Sequence, residues 1–401
     1  MTAYNKTKQS SVGVIERLAT GMKMLTVFRN LLKKPLIKSF LAYSDAECVG
    51  DKSLFYAEMV SEIYSSGKTM ARLVTDMVFE DENPYIKAKA KGAELSEDVA
   101  VAAERELTIL SELASLGSED FSEDLWVDYI SPFAKNEVDL LEGYERRIAE
   151  ISRFGYGVFS SACMFRLNDE LVIEPIVSAD KIGMDSFVGY ADERARVVRN
   201  TEAFVEGRPA ANALLCGDAG TGKSSTVKAV ANAFFDKGVR LIEIRKDQLR
   251  HLPLVMGKIS ENPLKFIIFI DDLSFNKNDD NFSMLKATLE GSASVRAKNA
   301  VIYATSNRRH IIKESFSDRE GNDIHRNDTI QETLSLSERF GLTVLFGKPD
   351  KKLYLDIVHE LADRHGIEKD RAEMDIEAEA FALRRGYRSA RCAEQYIDSL
   401  R

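Results

Sequence analysis

Apolar positions along the chain fall into two kinds of pattern. Between residues 99 and 114, Val99, Ala103, Leu107, Leu110 and Ala114 recur at spacings of four and three. That spacing paints one stripe on an α-helix, which Gly117 stops. A second helical stretch is predicted over 121–151, broken at Pro132. Past Gly155 and Gly157 the period changes. Residues 158–167, the Asn168-Asp169 pair and residues 171–176 read as two short strands, a hairpin. From residue 213 onward short apolar runs recur at 213–216, 241–244, 266–270 and 301–305, with 342–346 as a candidate fifth and helical segments between them; the run 266–270 is unbroken and fully apolar. Runs of that kind predict parallel strands buried on both faces. Residues 351–401 return to a helical pattern, with Gly366 and Gly386 as breaks.

The pattern predicts an α/β fold in three parts. A mainly helical region spans 1–180 and ends with the hairpin, an α/β domain spans 181–350, and a helical segment spans 351–401. At 401 residues the chain exceeds what one core usually organises. Its 44% hydrophobic and 30% charged residues are ordinary for a globular protein. A net charge of -9 argues against a protein that coats polyanions non-specifically. Cys48, Cys163, Cys216 and Cys392 lie far apart and show no metal-ligand spacing with the histidines, so neither zinc nor a disulfide framework is expected. The apolar stretch 22–43 is interrupted by Lys23, Arg29, Lys33, Lys34, Pro35 and Lys38, too many breaks for a membrane span. No signal peptide is read at the N-terminus, and the expected location is cytoplasmic, without membrane insertion.

The strongest chemistry lies in Gly217-Asp218-Ala219-Gly220-Thr221-Gly222-Lys223-Ser224, which matches G-x-x-x-x-G-K-[ST]. Glycines let backbone N–H groups turn inward around a phosphate. Lys223 places a cation beside the β- and γ-phosphates, and the Ser224 hydroxyl ligates Mg²⁺. A helix beginning near Ser225 points its positive dipole end at the same anion. The match follows a strand-like run and precedes an amphipathic helix (Val227, Val230, Ala231, Phe234), the context the motif requires.

The run 266–270 ends in Asp271-Asp272. A buried strand thereby delivers two carboxylates to the sheet edge where doubly wound folds bind ligands. Asp271 is the candidate magnesium partner, and Asp272 the group that orients or deprotonates the attacking water. Asn276-Lys277-Asn278-Asp279 spells the N-K-x-D guanine-reading motif, but it follows the acidic pair instead of its own late strand, and no D-x-x-G accompanies it. It is read as a polar loop, and ATP is favoured over GTP.

With these motifs in order, residues 187–400 resemble the AAA+ ATPases, and more closely an uncharacterised bacterial family of predicted ATPases within that superfamily. Asp81-Glu82-Asn83-Pro84-Tyr85 looks like a segment of the same family. The resemblance implies a P-loop parallel-sheet core with a C-terminal helical lid. It implies that the backbone around Val188 and Gly189, in Phe187-Val188-Gly189-Tyr190, contacts adenine. Asn307, in the run 304–310, resembles sensor 1, and Arg339, in the run 335–341, resembles an arginine finger reaching a neighbouring subunit's γ-phosphate. The run 386–391 resembles sensor 2, with Arg391 or Arg388 on the phosphates. Ser225 completes the set expected to touch the nucleotide. Two departures stand out. The acidic pair is Asp-Asp where most members have Asp-Glu, which allows slow hydrolysis. Residues 245–249 lack the aromatic-apolar-Gly loop of threading unfoldases.

The expected protein is therefore an AAA+ ATPase that binds Mg-ATP, associates into a ring or filament, and remodels or loads a protein or nucleic-acid partner. Two alternatives stay open on the same residues. One is a nucleotide-dependent switch or scaffold with negligible turnover. The other is a nucleic-acid remodeller akin to initiators and clamp loaders, for which Arg308, Arg309 and the arginines of 384–391 are the candidate basic clusters.

Overall fold

The computed structural model describes residues 4–125, 129–176, 182–273, 285–286, 288–289, 297–307 and 339–401. These form two compact units, Met1–Ser161 and Ala162–Arg401.

The first unit is helical. Its longer helices are α1 (Tyr4–Lys23), α2 (Pro35–Asp45), α3 (Val49–Ser66), α4 (Met70–Phe79), α5 (Pro84–Lys91) and α6 (Glu97–Ala114). Three shorter ones follow: α7 (Ser122–Leu125), α8 (Leu140–Ala149) and α9 (Ile151–Phe154). Leu107, Leu110 and Ala114 of the predicted stripe are buried on α6. The long helix predicted over 121–151 is a different object. Residues 129–139 are extended, tied down where the Tyr56 hydroxyl donates to the Ser131 carbonyl (2.7 Å) and Ser118 N–H to Phe133 O (3.1 Å). Pro132 is the physical reason: it has no N–H and pushes the preceding residue out of the α region. Glu106, 6% exposed, is the polar hub of this unit. Its carboxylate accepts from the N–H groups of Thr26 (2.7 Å), Val27 (3.1 Å) and Phe28 (2.9 Å) and from the Thr26 hydroxyl (2.7 Å).

The second unit is built on a seven-stranded sheet in the order β2-β1-β4-β5-β6-β3-β7. The strands are β1 (Met164–Leu167), β2 (Ile173–Pro175), β3 (Ala213–Gly217), β4 (Val239–Glu243), β5 (Lys265–Ile270), β6 (Ala300–Ser306) and β7 (Leu342–Phe346). Five of them coincide with the apolar runs to within two residues. Three expectations need correction. The hairpin expected in the N-terminal region belongs to this sheet, because β1 pairs in parallel with β4. The sheet is also mixed rather than parallel throughout, since β2 pairs antiparallel with β1 at the edge. Residues 158–160, predicted as strand, form a 3-10 turn.

Helices α10 (Ala191–Val205), α11 (Lys223–Ala233) and α12 (Leu252–Ile259) accompany the sheet. Three C-terminal helices follow: α13 (Lys351–Arg364), α14 (Arg371–Arg385) and α15 (Ala390–Asp398). Each has a side-chain cap on its first turn, from Asp350, Asp370 and Ser389. Gly386 ends α14 in the left-handed conformation. Tyr354, Ile357, Met374 and Tyr396 of these helices share one buried cluster with Leu215, Phe269 and Phe346 of the sheet. Among the described residues, no helix is long and apolar enough to cross a membrane.

Candidate functional site at the sheet edge

All five residues of β3 are buried, and the strand runs straight into the 217–224 loop. Gly217 is required at the turn: its φ is 137°, and a Cβ there would stand 1.9 Å from the Phe346 carbonyl oxygen on β7. Helix α11 begins at Lys223, two residues earlier than expected, so the first-turn N–H groups face the loop. The Lys223 ammonium is 5% exposed and donates to the carbonyls of Gly217 (3.1 Å) and Asp218 (2.6 Å). Burial pushes its pKa down, and the carboxylates of Asp218, Asp272 and Asp271 oppose that shift. The Thr221 hydroxyl closes the loop on Asp218 O (2.9 Å).

β3 and β5 are not neighbours, because β6 lies between them. The C-terminal end of β6 therefore lies between the glycine loop and the acidic pair, and supplies side chains to the acidic pair. Ser224 Oγ donates to Asp271 Oδ1 at 2.6 Å. The Thr305 hydroxyl donates to the same oxygen at 2.5 Å. Asp272 adopts a left-handed backbone, φ 50°, unusual for a non-glycine residue. Its N–H donates to Thr305 Oγ1 (3.0 Å), and the Leu273 N–H to Thr305 O (2.7 Å), which holds that turn. The Asp272 carboxylate accepts from Asn307 Nδ2 at 2.8 Å. Ser224, Asp271, Asp272 and Asn307 thus form one connected group on the edge where the loop lies.

A cleft of about 600 Å³ opens beside the loop. Thr221 and Gly222 line it from the loop, Ser225 from α11, Val188 from the segment before α10, and Ile357 and Leu361 from α13. A second cleft of about 580 Å³ adjoins it, lined by Asp218, Ala219, Lys348, Tyr387, Arg388 and Arg391. Gly220 and Arg391 border both, and the Arg391 N–H donates to Gly220 O at 3.2 Å. A Cβ at Gly220 would come within 3.1 Å of Ser389 Oγ and 3.2 Å of Arg391 Cβ, so α15 sits directly on the loop.

The two candidate arginines differ. Arg388 makes a two-pronged ion pair with Glu379 at 2.8 and 2.6 Å, which lowers the pKa of Glu379. The side chain of Arg391 makes no hydrogen bond among the described residues and faces both clefts. Arg339, half-buried, precedes β7. β7 runs parallel to β3, and Arg339 lies three residues before β7, whose N-terminal end is the end of the sheet away from the loop. Arg308, Arg309, His310, residues 335–338 and the N-K-x-D segment lie outside the described residues.

Three contributors were not read from the sequence. Arg194 is 7% exposed, lies over the Phe187 ring at 4.9 Å, and donates to the Gly189 carbonyl. Arg364 of α13 donates to the carbonyls of Ser186 (2.7 Å) and Phe187 (3.3 Å). Together they fix the segment carrying Val188 and Gly189 against the cleft. Glu394 of α15 lines the same cleft. A signal for Arg194 existed: it is in register with Val197, Thr201 and Phe204 on the buried face of α10.

Residues 160–401 match the family described as "Protein of unknown function (DUF815)". The match covers more than half of the chain, which belongs to that family. No curated protein matches the chain. Among solved structures, two mutants of RuvB from Thermotoga maritima align at 15% identity, with TM-scores of 0.37 and 0.36. The alignments cover 54% of this chain and 63% and 64% of those chains, so this chain spans less than two thirds of their length.

Proposed function

We propose that the protein is an AAA+-type ATPase that binds Mg-ATP in the cleft of the 217–224 loop and hydrolyses it between subunits. The observation that carries this reading is the 2.6 Å contact between Ser224 Oγ and Asp271 Oδ1. It joins the phosphate-loop motif to the acidic strand end in the pairing that phosphoryl-transfer chemistry needs.

A hydroxyl and one carboxylate are a sparse donor set, and that suits magnesium, which keeps several waters and takes phosphate oxygens as further ligands. When bound, the ion neutralises charge on the β- and γ-phosphates. The remaining work belongs to side chains. Lys223, released from the loop carbonyls, pairs with the phosphates. Gly217, Asp218, Ala219, Gly220, Thr221, Gly222 and Ser225 surround them with backbone N–H groups. Asp272 orients the attacking water and takes its proton, held in position by Asn307. Val188, Gly189, Ile357 and Leu361 receive the adenine. Arg391 contacts the phosphates from α15, supported by its place over Gly220, whereas Arg388 braces the C-terminal helices through Glu379.

Arg339 acts in trans. Its position before β7, at the end of the sheet away from the loop, supports a finger role toward the cleft of a second copy. The nucleotide cycle then opens and closes the C-terminal helical lid and drives a macromolecular partner engaged by the first unit.

A mixing assay tests this reading. Lys223→Ala and Arg339→Ala should each lose phosphate release. Mixed in equal amounts, they should recover activity above the sum of the two, because some interfaces combine an intact loop with an intact arginine. No recovery, together with full activity of Arg339→Ala alone, would defeat the trans assignment.

A further inference from the structure

We propose that Glu394 reads the ribose of the bound nucleotide, accepting hydrogen bonds from its 2′- and 3′-hydroxyls and making the site selective for ribonucleotides over deoxyribonucleotides. This rests on the reading of the 600 Å³ cleft as a nucleotide site.

The cleft has three chemically distinct walls. The wall of the loop and the start of α11, with Thr221, Gly222 and Ser225, presents N–H groups and hydroxyls and suits anionic phosphates. Phe187, Val188, Ile357 and Leu361 give an apolar wall that suits a flat base, and Ser186 and Arg194 also line the cleft. The third wall is α15, which carries Arg391 and, one turn on, Glu394. Arg391 is fixed at the loop by its N–H bond to Gly220 O, and Glu394 is about 4.5 Å further along the helix axis.

A carboxylate is an acceptor only. It repels phosphates and gains nothing from an apolar wall. Among the described residues, no hydrogen bond is made to the Glu394 carboxylate, although the surrounding protein pushes its pKa upward and Arg391 opposes that shift. The group that a nucleoside triphosphate offers between its base and its phosphates is a vicinal diol, a pair of donors. An acidic side chain accepting from ribose hydroxyls is established chemistry in dinucleotide-binding folds. The exocyclic amine of adenine is the other donor on the ligand, and GTP, which carries a carbonyl at that position, distinguishes the two. Glu394 is exposed and caps nothing, so its replacement leaves the packing of α15 intact.

Calorimetric titration of the full chain with ATP, 2′-deoxy-ATP, 3′-deoxy-ATP and GTP tests the proposal. The wild-type chain should bind ATP about tenfold more tightly than either deoxy analogue, the loss expected when a charged acceptor forfeits a hydroxyl donor. Glu394→Ala should bring ATP and both analogues to within about twofold of one another, while its ATP-to-GTP ratio stays at the wild-type value. Glu394→Gln, which keeps one neutral acceptor, should fall between. Equal binding of ATP and the deoxy analogues by the wild-type chain overturns the proposal, as does discrimination that persists in Glu394→Ala. A changed ATP-to-GTP ratio in Glu394→Ala would assign the carboxylate to the base instead. If the wild-type chain binds none of the four, the nucleotide site itself is wrong, a result distinct from equal binding.

Discussion

Ser224 Oγ and Asp271 Oδ1 meet at 2.6 Å across 47 residues of sequence. One residue opens a helix, the other closes a strand, and neither strand of their respective motifs touches the other in the sheet. β6, inserted between them, delivers Thr305 to the same carboxylate oxygen and Asn307 to the neighbouring Asp272. Ser224, Asp271, Thr305, Asp272 and Asn307 are thereby joined in one hydrogen-bonded group of five residues.

Asn307→Ala removes the one side-chain donor to Asp272 that the described residues supply. ATP should still bind within about twofold of the wild-type affinity. Single-turnover hydrolysis should slow by about a hundredfold, the scale on which loss of a positioning hydrogen bond acts in a transition state. Rapid-quench measurement at saturating ATP separates the two effects, and an unchanged rate would remove Asn307 from the chemistry.

Arg391 and Arg388 should separate cleanly. Arg391→Ala should weaken ATP binding about tenfold with little change in melting temperature, because its side chain faces the clefts. Arg388→Ala should do the reverse, since it breaks the pair with Glu379. That pair also has a pH signature. Arg388 holds the Glu379 carboxyl below its ordinary value of 4.5, so its stabilisation is fully present above that value. The contribution is lost as pH falls through the lowered pKa in the folded protein. Thermal unfolding followed from pH 7 to pH 3 should show a loss below about pH 4.5 that Glu379→Gln removes.

Much of the second unit is legible in the chain because its determinants are local. β3 and β5 carry continuous apolar runs, and the glycine loop has its own spacing. β4 starts two residues ahead of its apolar run because Arg240 hides there, 2% exposed and lying over the Phe235 ring at 4.2 Å. The hairpin of β1 and β2 was recognisable, but its membership in the sheet depends on pairing with β4 more than seventy residues later, and no local pattern encodes that. Arg388 differs from Arg391 through its pair with Glu379, and Arg194, Arg364 and Glu394 take their places at the cleft only through what folding brings near. Pro132 was seen as a break, but the extended path through residues 129–139 depends on Tyr56 and on Ser118.

In the first unit, stability and not chemistry carries the clearest expectation. Glu106→Ala would strand the N–H groups of Thr26, Val27 and Phe28 in a buried site. A charge-assisted network of this kind contributes about 3 kcal/mol or more. Urea unfolding of the full chain should show an early transition belonging to this unit, while ATP binding by the second unit is retained. A Glu106→Ala chain with unchanged unfolding would show that water replaces the carboxylate at no cost.

The central claim is that Mg-ATP occupies the loop that begins at Gly217. Calorimetric titration with ATP, in magnesium and in chelator, tests it most directly. The wild-type chain should bind ATP saturably and more tightly with magnesium. Asp271→Asn should lose the magnesium dependence, and Lys223→Ala should lose at least a hundredfold in affinity, about 2.7 kcal/mol. A wild-type chain that takes up no ATP, or a Lys223→Ala chain that binds it as well as wild type, would contradict the account.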